Sequence, residues 1–358
     1  MIRRISSLLP GTGGVLKTAP EDFVVEEIPA YLPAGEGTHT FLFIEKRGHT
    51  TEEALMKLSR AFGVPRDAMG AAGMKDRQAV TRQWVSLPDV DPATALAFST
   101  PELRVLDAKR HGNKLKTGHL RGNRFTVRLR GLRCAQDEAL ERARSIMERL
   151  AAVGLPNRFG PQRFGARGDN AQKGRELLRG GDPSDDATRD GRRDGRRNSG
   201  RLGRIERRLM LSALQAELFN TYLDQRMDDG LLRTPVLGDV LRKRDSGGLF
   251  ACEDLTDAAE RLSAGVIDIT GPMYGHKMHG PTEGTPSAER EAAMISAAGL
   301  APSDFAAAGA LAEGTRRPLT VPVESPTVEL ADSPDSLTLT FTLSSGAYAT
   351  VLVDEVVK

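Results

Sequence analysis

Near its C-terminus the chain reads SLTLTFTL, residues 336–343, in which Leu337, Leu339, Phe341 and Leu343 alternate with serine and threonine. Side chains that alternate with period two describe a strand with one apolar and one polar face. Such a strand needs neighbours, and the comparable stretches all lie upstream of residue 135. NRFTVRLR sets Phe125, Val127 and Leu129 against Arg124, Thr126, Arg128 and Arg130. KTAPEDFVVEEI begins with a proline turn and continues into a β-branched run, while HTFLFIEK and QWVSL read as two further strands. Between these β-rich ends the middle of the chain is helical and irregular. The pattern predicts one α+β domain, interrupted by an insertion, whose terminal segments pack together.

The helices are marked by period and by caps. Thr50 and Glu53 form a capping box ahead of a helix carrying Ala54, Leu55, Leu58 and Phe62 on one face. A second helix runs from about Gln136 to Leu150, presents Leu140, Ala143, Met147 and Leu150, and ends at Gly154 and Pro156. A third, from Arg207 to Met227, carries Leu211, Leu214, Leu218 and Tyr222 as core positions. From about Thr234 to Arg317 glycine and proline break the chain repeatedly. SSGAYATVLVDEVV, at the end, fits a terminal helix or a further strand.

Charge narrows the choice of partner. The formal net charge is only +2, but Arg104–Arg133 holds ten Lys or Arg residues against Asp107 alone. A basic cluster on an otherwise balanced chain is the footprint that a polyanion requires, and the basic face of NRFTVRLR could lie along an RNA backbone. The arginines of 189–208 sit in a repeated glycine–arginine unit, GRRDGRRNSGR, that reads as a flexible loop. GLPNRFGPQRFGARGDN interleaves Arg158, Arg163 and Arg167 with Phe159 and Phe164. It could stack on bases or serve as a hinge that packs its phenylalanines inward.

Other chemistry finds little support. Cys134 and Cys252 lie far apart, which suggests neither a disulfide framework nor a zinc ribbon. His276 and His279 of HKMH have helical ligand spacing but no apparent third ligand. No apolar run nears the ~20 residues of a membrane span and no leader pattern opens the chain, so the expected location is the cytoplasm, without a membrane or an obligate protein partner.

One short segment could carry chemistry. GMKDRQAVTRQW, residues 73–84, places Asp76 between Lys75 and Arg77. It is either a solvated acid in a basic turn or a reactive carboxylate kept ionised by neighbouring cations. The residues alone support an RNA-directed enzyme with a carboxylate, and leave open a catalytically silent RNA-binding or RNA-folding protein. A metal-dependent nuclease is disfavoured, because no cluster of acids lies within the basic motifs.

KTAPEDFVVEEI, AAGMKDRQAVTRQWVSL, GHLRGNRFTVRLR, GLPNRFGPQRFGARGDN, LSALQAELFNTYLDQR and SSGAYATVLVDEV occur in this order over most of the chain. Together they resemble the successive signature segments of the TruD-type tRNA pseudouridine synthases. The resemblance implies a pseudouridine synthase core with a mixed, mostly antiparallel sheet formed by 1–154 and 318–358. It also implies an inserted family-specific domain over 155–317. The implied reaction converts uridine to pseudouridine in tRNA, with position 13 as the target. It gains and loses no atom and so needs no cofactor or metal. By its place in the motif Asp76 matches the family's catalytic aspartate, with Lys75 as its expected electrostatic support. Phe23, Asn123 and Tyr348 match substrate-contacting positions, and Phe125 is a further candidate for the pocket wall. The stretch GGDPSDDATRDGRRDGRRNSGR departs from the family pattern, being longer and richer in glycine and arginine than a compact basic link.

Overall fold

The computed structural model describes residues 3–16, 18–181 and 202–358. The glycine–arginine repeat expected as a loop lies outside the described residues. The chain divides into two compact units, one comprising Arg4–Leu155 with Pro322–Lys358 and the other containing Pro156–Val321.

The first unit is built on a nine-stranded sheet. Its strands are β1 (Gly13–Val15), β2 (Phe23–Pro29), β3 (His39–Arg47), β4 (Gly70–Ala71), β5 (Val80–Pro88), β6 (Leu103–His111), β7 (Leu120–Leu132), β8 (Glu324–Leu330) and β9 (Ser336–Ser344). The order across the sheet is β8-β9-β7-β2-β5-β3-β6, with β1 on β7 and β4 on β5. The β2–β5 pair is parallel and the others are antiparallel, so the sheet is mixed and mostly antiparallel. SLTLTFTL becomes β9 and pairs with NRFTVRLR in β7, Phe341 opposite Phe125 and Leu339 opposite Val127. Gly122 permits this pairing, because a Cβ there would stand 2.4 Å from the Leu343 carbonyl oxygen.

Register assigns every strand residue to a face. Phe23 and Val25, Leu42 and Ile44, Val85 and Leu87, Phe125, Val127 and Leu129, and Leu337, Leu339 and Phe341 share one face. Helix Thr51–Phe62 covers the β3–β5–β6 end of that face, burying Ala54, Leu55 and Leu58 against Leu42, Ile44, Val85 and Leu87. Its capping box is complete: Thr50 N–H donates to Glu53 Oε2 (2.7 Å) and Glu53 N–H to Thr50 Oγ1 (3.1 Å). Helix Gln136–Val153 buries Ala139, Ala143, Ile146, Met147 and Leu150, while Leu140 is only half-buried. The apolar stripe therefore lies slightly round the helix from the expected one. The terminal segment resolves into helix Ala349–Val357.

Arg124, Thr126, Arg128 and Arg130 point to the opposite face. There Arg130 is clamped to the buried Asp22 (2.7 Å), while nearby Arg82 pairs with Glu26 (3.2 Å) and Glu45 (2.8 Å). Part of the basic face expected to meet RNA is thus neutralised within the sheet.

The second unit centres on helix Arg204–Asp228, which buries Leu211, Leu214, Leu218 and Tyr222. Helix Asn170–Leu178 packs closely on it at Gly174, where a Cβ would meet the Met210 carbonyl oxygen at 2.4 Å. A four-stranded antiparallel sheet takes the order Leu249–Ala251, Val240–Lys243, Ile267–Met273, Thr315–Pro318. Two buried ion pairs cross its core: Arg226 grips Asp239 through two 3.0 Å bonds, and Arg316 grips Glu291 at 2.9 and 2.7 Å. The loop GLPNRFGPQRFGARGDN packs inward. Arg158 is bidentate to Asp224, and the buried Phe159 lies edge-on to Phe219 at 5.8 Å with the Arg317 guanidinium 4.0 Å above its ring. Of the two readings open for this loop, the packing of Arg158 and Phe159 agrees with the inward hinge; Arg163 is half-buried and Arg167 exposed. His276 and His279 follow strand Ile267–Met273 in a segment where Lys277 pairs with Glu313 (3.1 Å).

Candidate active site

At one end of the apolar stripe each central strand substitutes a polar residue without changing phase. Lys46 continues Leu42 and Ile44 on β3, Glu27 continues Phe23 and Val25 on β2, Gln83 precedes Val85 on β5, and Asn123 precedes Phe125 on β7. Pairing sets Glu27 opposite Asn123, Ile44 opposite Gln83 and Lys46 opposite Thr81. The result is a polar patch on an otherwise apolar face. Lys46, Glu27 and Gln83 are all buried, and Asn123 is half-buried.

The segment 73–79, between β4 and β5, is fastened to this patch. Gln83 Nε2 donates to the Gly73 carbonyl oxygen at 3.3 Å, and Lys75 N–H donates to Thr51 Oγ1 at 2.8 Å. Thr51 in turn donates to Gln83 Oε1 at 2.9 Å. The Lys46 ammonium bridges two carbonyl oxygens, that of Asp76 at 2.9 Å and that of His49 at 2.6 Å. Within the loop Gln78 N–H donates to Asp76 Oδ1 at 3.0 Å. Arg77 turns outward to the Gly48 carbonyl oxygen (3.1 Å) and to Glu53 (3.3 Å) at the start of helix Thr51–Phe62. The backbone at Asp76 is thereby held by groups from β3, β5 and a helix terminus.

The electrostatics divide between two lysines. Lys75 extends its ammonium away from the loop to Asn123 Oδ1, which accepts a hydrogen bond, and to Glu27 Oε2 at 3.2 Å. The Lys75 and Glu27 side chains are 6% and 0% exposed. Burial pushes the Glu27 carboxyl up and the Lys75 ammonium down, each opposed by the charge of the other. Glu27 Oε1 also accepts the Trp84 N–H at 3.3 Å, where β2 leaves the side of β5. Lys46 is brought down to about 8 by burial, against the pull of the Asp76 charge. Lys46, which the motif did not single out, is thus a cation whose charge is coupled to Asp76. Asp76 itself is exposed. The burial falls on the groups that hold it.

Of the expected aromatic residues, Phe23 and Phe125 lie on the same face. Phe23 and Phe125 are both buried, 6.0 Å apart, and Phe125 stacks on Phe341 at 5.4 Å. Tyr348, half-buried, occupies the N-cap of helix Ala349–Val357 just beyond the end of β9. The sequence reading missed Lys46, Glu27, Gln83 and Thr51. Lys46, Glu27 and Gln83 stand as polar residues in the apolar phase of predicted strands, a phase that does not by itself say what lies opposite, and Thr51 opens the helix after β3. Among the described residues no group of three or more His, Cys, Asp or Glu side chains is placed to hold a metal ion.

The description tRNA pseudouridine synthase D (TruD) belongs to the family whose model matches residues 3–185 and 194–356. A protein named tRNA pseudouridine synthase D from Anaeromyxobacter dehalogenans is 47% identical over 357 residues, covering 99% of this chain and 96% of its own. Relatives of the same name from Geobacter sulfurreducens and Thermus thermophilus are 41% and 40% identical, covering 99% and 98% of this chain and 97% and 90% of theirs. The solved structure of a Methanosarcina mazei protein assigned to tRNA pseudouridine synthase D superposes with a TM-score of 0.82 at 23% identity. It covers 99% of this chain and 96% of its own, and supports the fold.

Proposed function

The chain belongs to the tRNA pseudouridine synthase D family, and from that premise we propose that Asp76 is the nucleophile of its reaction, the isomerisation of uridine to pseudouridine in tRNA, with position 13 as the target. The enzyme is an isomerase whose substrate is tRNA. The observation that carries the residue assignment is the double anchoring of the Asp76 segment. Lys46 holds its carbonyl and Thr51 the preceding N–H, while the carboxylate stays accessible. A nucleotide turned out of its stack can reach an exposed carboxylate, and its own base then excludes water from that carboxylate.

The reaction asks the site to break the glycosidic bond, keep the freed uracil, let it turn, and join its ring carbon five to the sugar. An ionised carboxylate serves as nucleophile, or as base toward a sugar proton, and the Lys46 charge favours its ionised form. Asn123 supplies hydrogen bonds to the base, while Phe23, Phe125 and Tyr348 form the apolar wall against which it turns. Lys75 acts on the substrate side through Asn123. The balance of atoms calls for no redox partner. The cytoplasm, where tRNA is matured, is the proposed location.

Asp76→Asn is expected to reduce pseudouridine formation in tRNA at least about 1,000-fold, as loss of a nucleophile should, while tRNA binding stays within a few-fold of the parent. A chemical pseudouridine map with a parallel binding titration reads both quantities. Undiminished modification by the variant sinks the assignment of Asp76.

A further inference from the structure

We infer that Lys75 fixes the orientation of the Asn123 amide, so that the site offers N–H donors to the target base and thereby selects uracil over cytosine. The inference rests on the proposed function, in which Asn123 meets the base.

An ammonium group only donates, so the Asn123 atom facing Lys75 Nζ is the carbonyl oxygen Oδ1. The amide nitrogen is then turned away from Lys75, on a residue that is half-buried on the site face. Lys75 is itself held at its ammonium and at its backbone, and its acidic partner is held in turn. Its ammonium stands 3.2 Å from Glu27, its N–H is bound by Thr51 at 2.8 Å, and Glu27 is tied to the Trp84 N–H at 3.3 Å. Glu27 and Asn123 are directly paired across β2 and β7, so the carboxylate, ammonium and amide form one short chain on adjacent strands. An amide free to flip would accept a donor as readily as it supplies one. An amide whose oxygen is engaged favours a carbonyl partner. At ring carbon four uracil carries a carbonyl oxygen where cytosine carries an amino group, so the orientation reads the difference between the two bases. The pair lies too deep for a surface salt bridge, and the arrangement gives its burial a purpose in recognition.

The test uses the full-length protein carrying Asp76→Asn, so that no turnover intervenes. It measures binding of tRNA transcripts bearing uridine, cytidine or an abasic site at the target position. The parent is expected to hold the uridine transcript at least about 10-fold tighter than the cytidine transcript. Lys75→Met should bring that ratio to within about 3-fold while leaving the abasic transcript unaffected. Asn123→Asp, which keeps an oxygen toward Lys75 but lacks an amide donor, should do the same. Because Lys75→Met leaves Glu27 buried without its cation, the double variant Glu27→Gln, Lys75→Met serves as a second form with neither charge. A folded Lys75 variant of either kind that retains the parental ratio overturns the orienting role. Asn123→Ala that binds the uridine transcript as well as the parent does instead overturns the reading of Asn123 as a base contact.

Discussion

Lys46 holds the Asp76 backbone and, although buried, carries a charge coupled to that carboxylate. Burial lowers its pKa from 10.5 to about 8. Between those values the unfolded chain holds a proton that the folded chain has released, so this group's contribution to stability grows as pH rises through the window. Activity should run the other way, because the neutral amine is a weaker donor to the two carbonyls and no longer adds its charge to the surroundings of Asp76. The expected outcome is a fall in kcat as pH rises through about 8. In Lys46→Arg the guanidinium stays charged, so the rate should remain level across the same range. A pH–rate profile of both proteins checks this, and a shared alkaline limb would assign the titration to another group. Asp76, Lys75 and Asn123 were all proposed from family resemblance, the residues alone leaving Asp76 between a solvated acid and a reactive carboxylate. Lys46, Glu27 and Gln83 were not, because each occupies the buried phase of a strand where a single sequence gives no sign of what lies opposite. Only the register across β7, β2, β5 and β3 turns four isolated polar residues into one patch.

At the scale of elements, helix Thr51–Phe62 does more than cover the core. Its first residue, Thr51, accepts the Lys75 N–H and donates to Gln83, while Glu53 closes the capping box and meets Arg77. The helix terminus is therefore a fixed point for the loop. Thr51→Val keeps the shape but removes the acceptor, leaving a backbone N–H without its partner at a cost of about 1–3 kcal/mol. We expect kcat to fall at least about 10-fold with little change in KM, read from single-turnover and steady-state rates, together with a lower unfolding midpoint in urea. Loss of stability with parental kcat would reduce Thr51 to a structural role. Elements with a clear period were readable from sequence. HTFLFIEK, NRFTVRLR and SLTLTFTL became β3, β7 and β9, and the Thr50–Glu53 box opened its helix. The terminal segment SSGAYATVLVDEVV fits helix or strand because its apolar residues follow no decisive period. It forms helix Ala349–Val357, which buries Ala349, Leu352, Val353 and Val356. The outward or inward choice for GLPNRFGPQRFGARGDN depended on Asp224, Phe219 and Arg317, partners far away in sequence.

Across the whole molecule, the unit that carries the site is assembled from both ends of the chain. Glu355, buried in the last helix, accepts the backbone N–H groups of Ile5 (3.1 Å) and Ser6 (3.0 Å) and the Ser6 hydroxyl. Arg4 meets Asp354 at 3.0 Å, and Thr12 N–H donates to the Val356 carbonyl oxygen at 2.9 Å. Glu355→Ala should strip partners from two backbone donors, costing about 3 kcal/mol and opening the segment before β1 to proteolysis. Urea titration and limited digestion measure the two effects, and an unchanged digestion pattern would show that the strap is held by its other contacts. The pairing of β9 with β7 has a consequence in time. A ribosome working at about 5–20 residues per second needs roughly ten to forty seconds to pass from Phe125 to its partner Phe341. Throughout that interval Asp76 has been synthesised but Tyr348 has not, and β7 stands with one edge open. A nascent chain therefore exposes an unpaired strand edge, open to wrong partners, until residues 336–344 have been made.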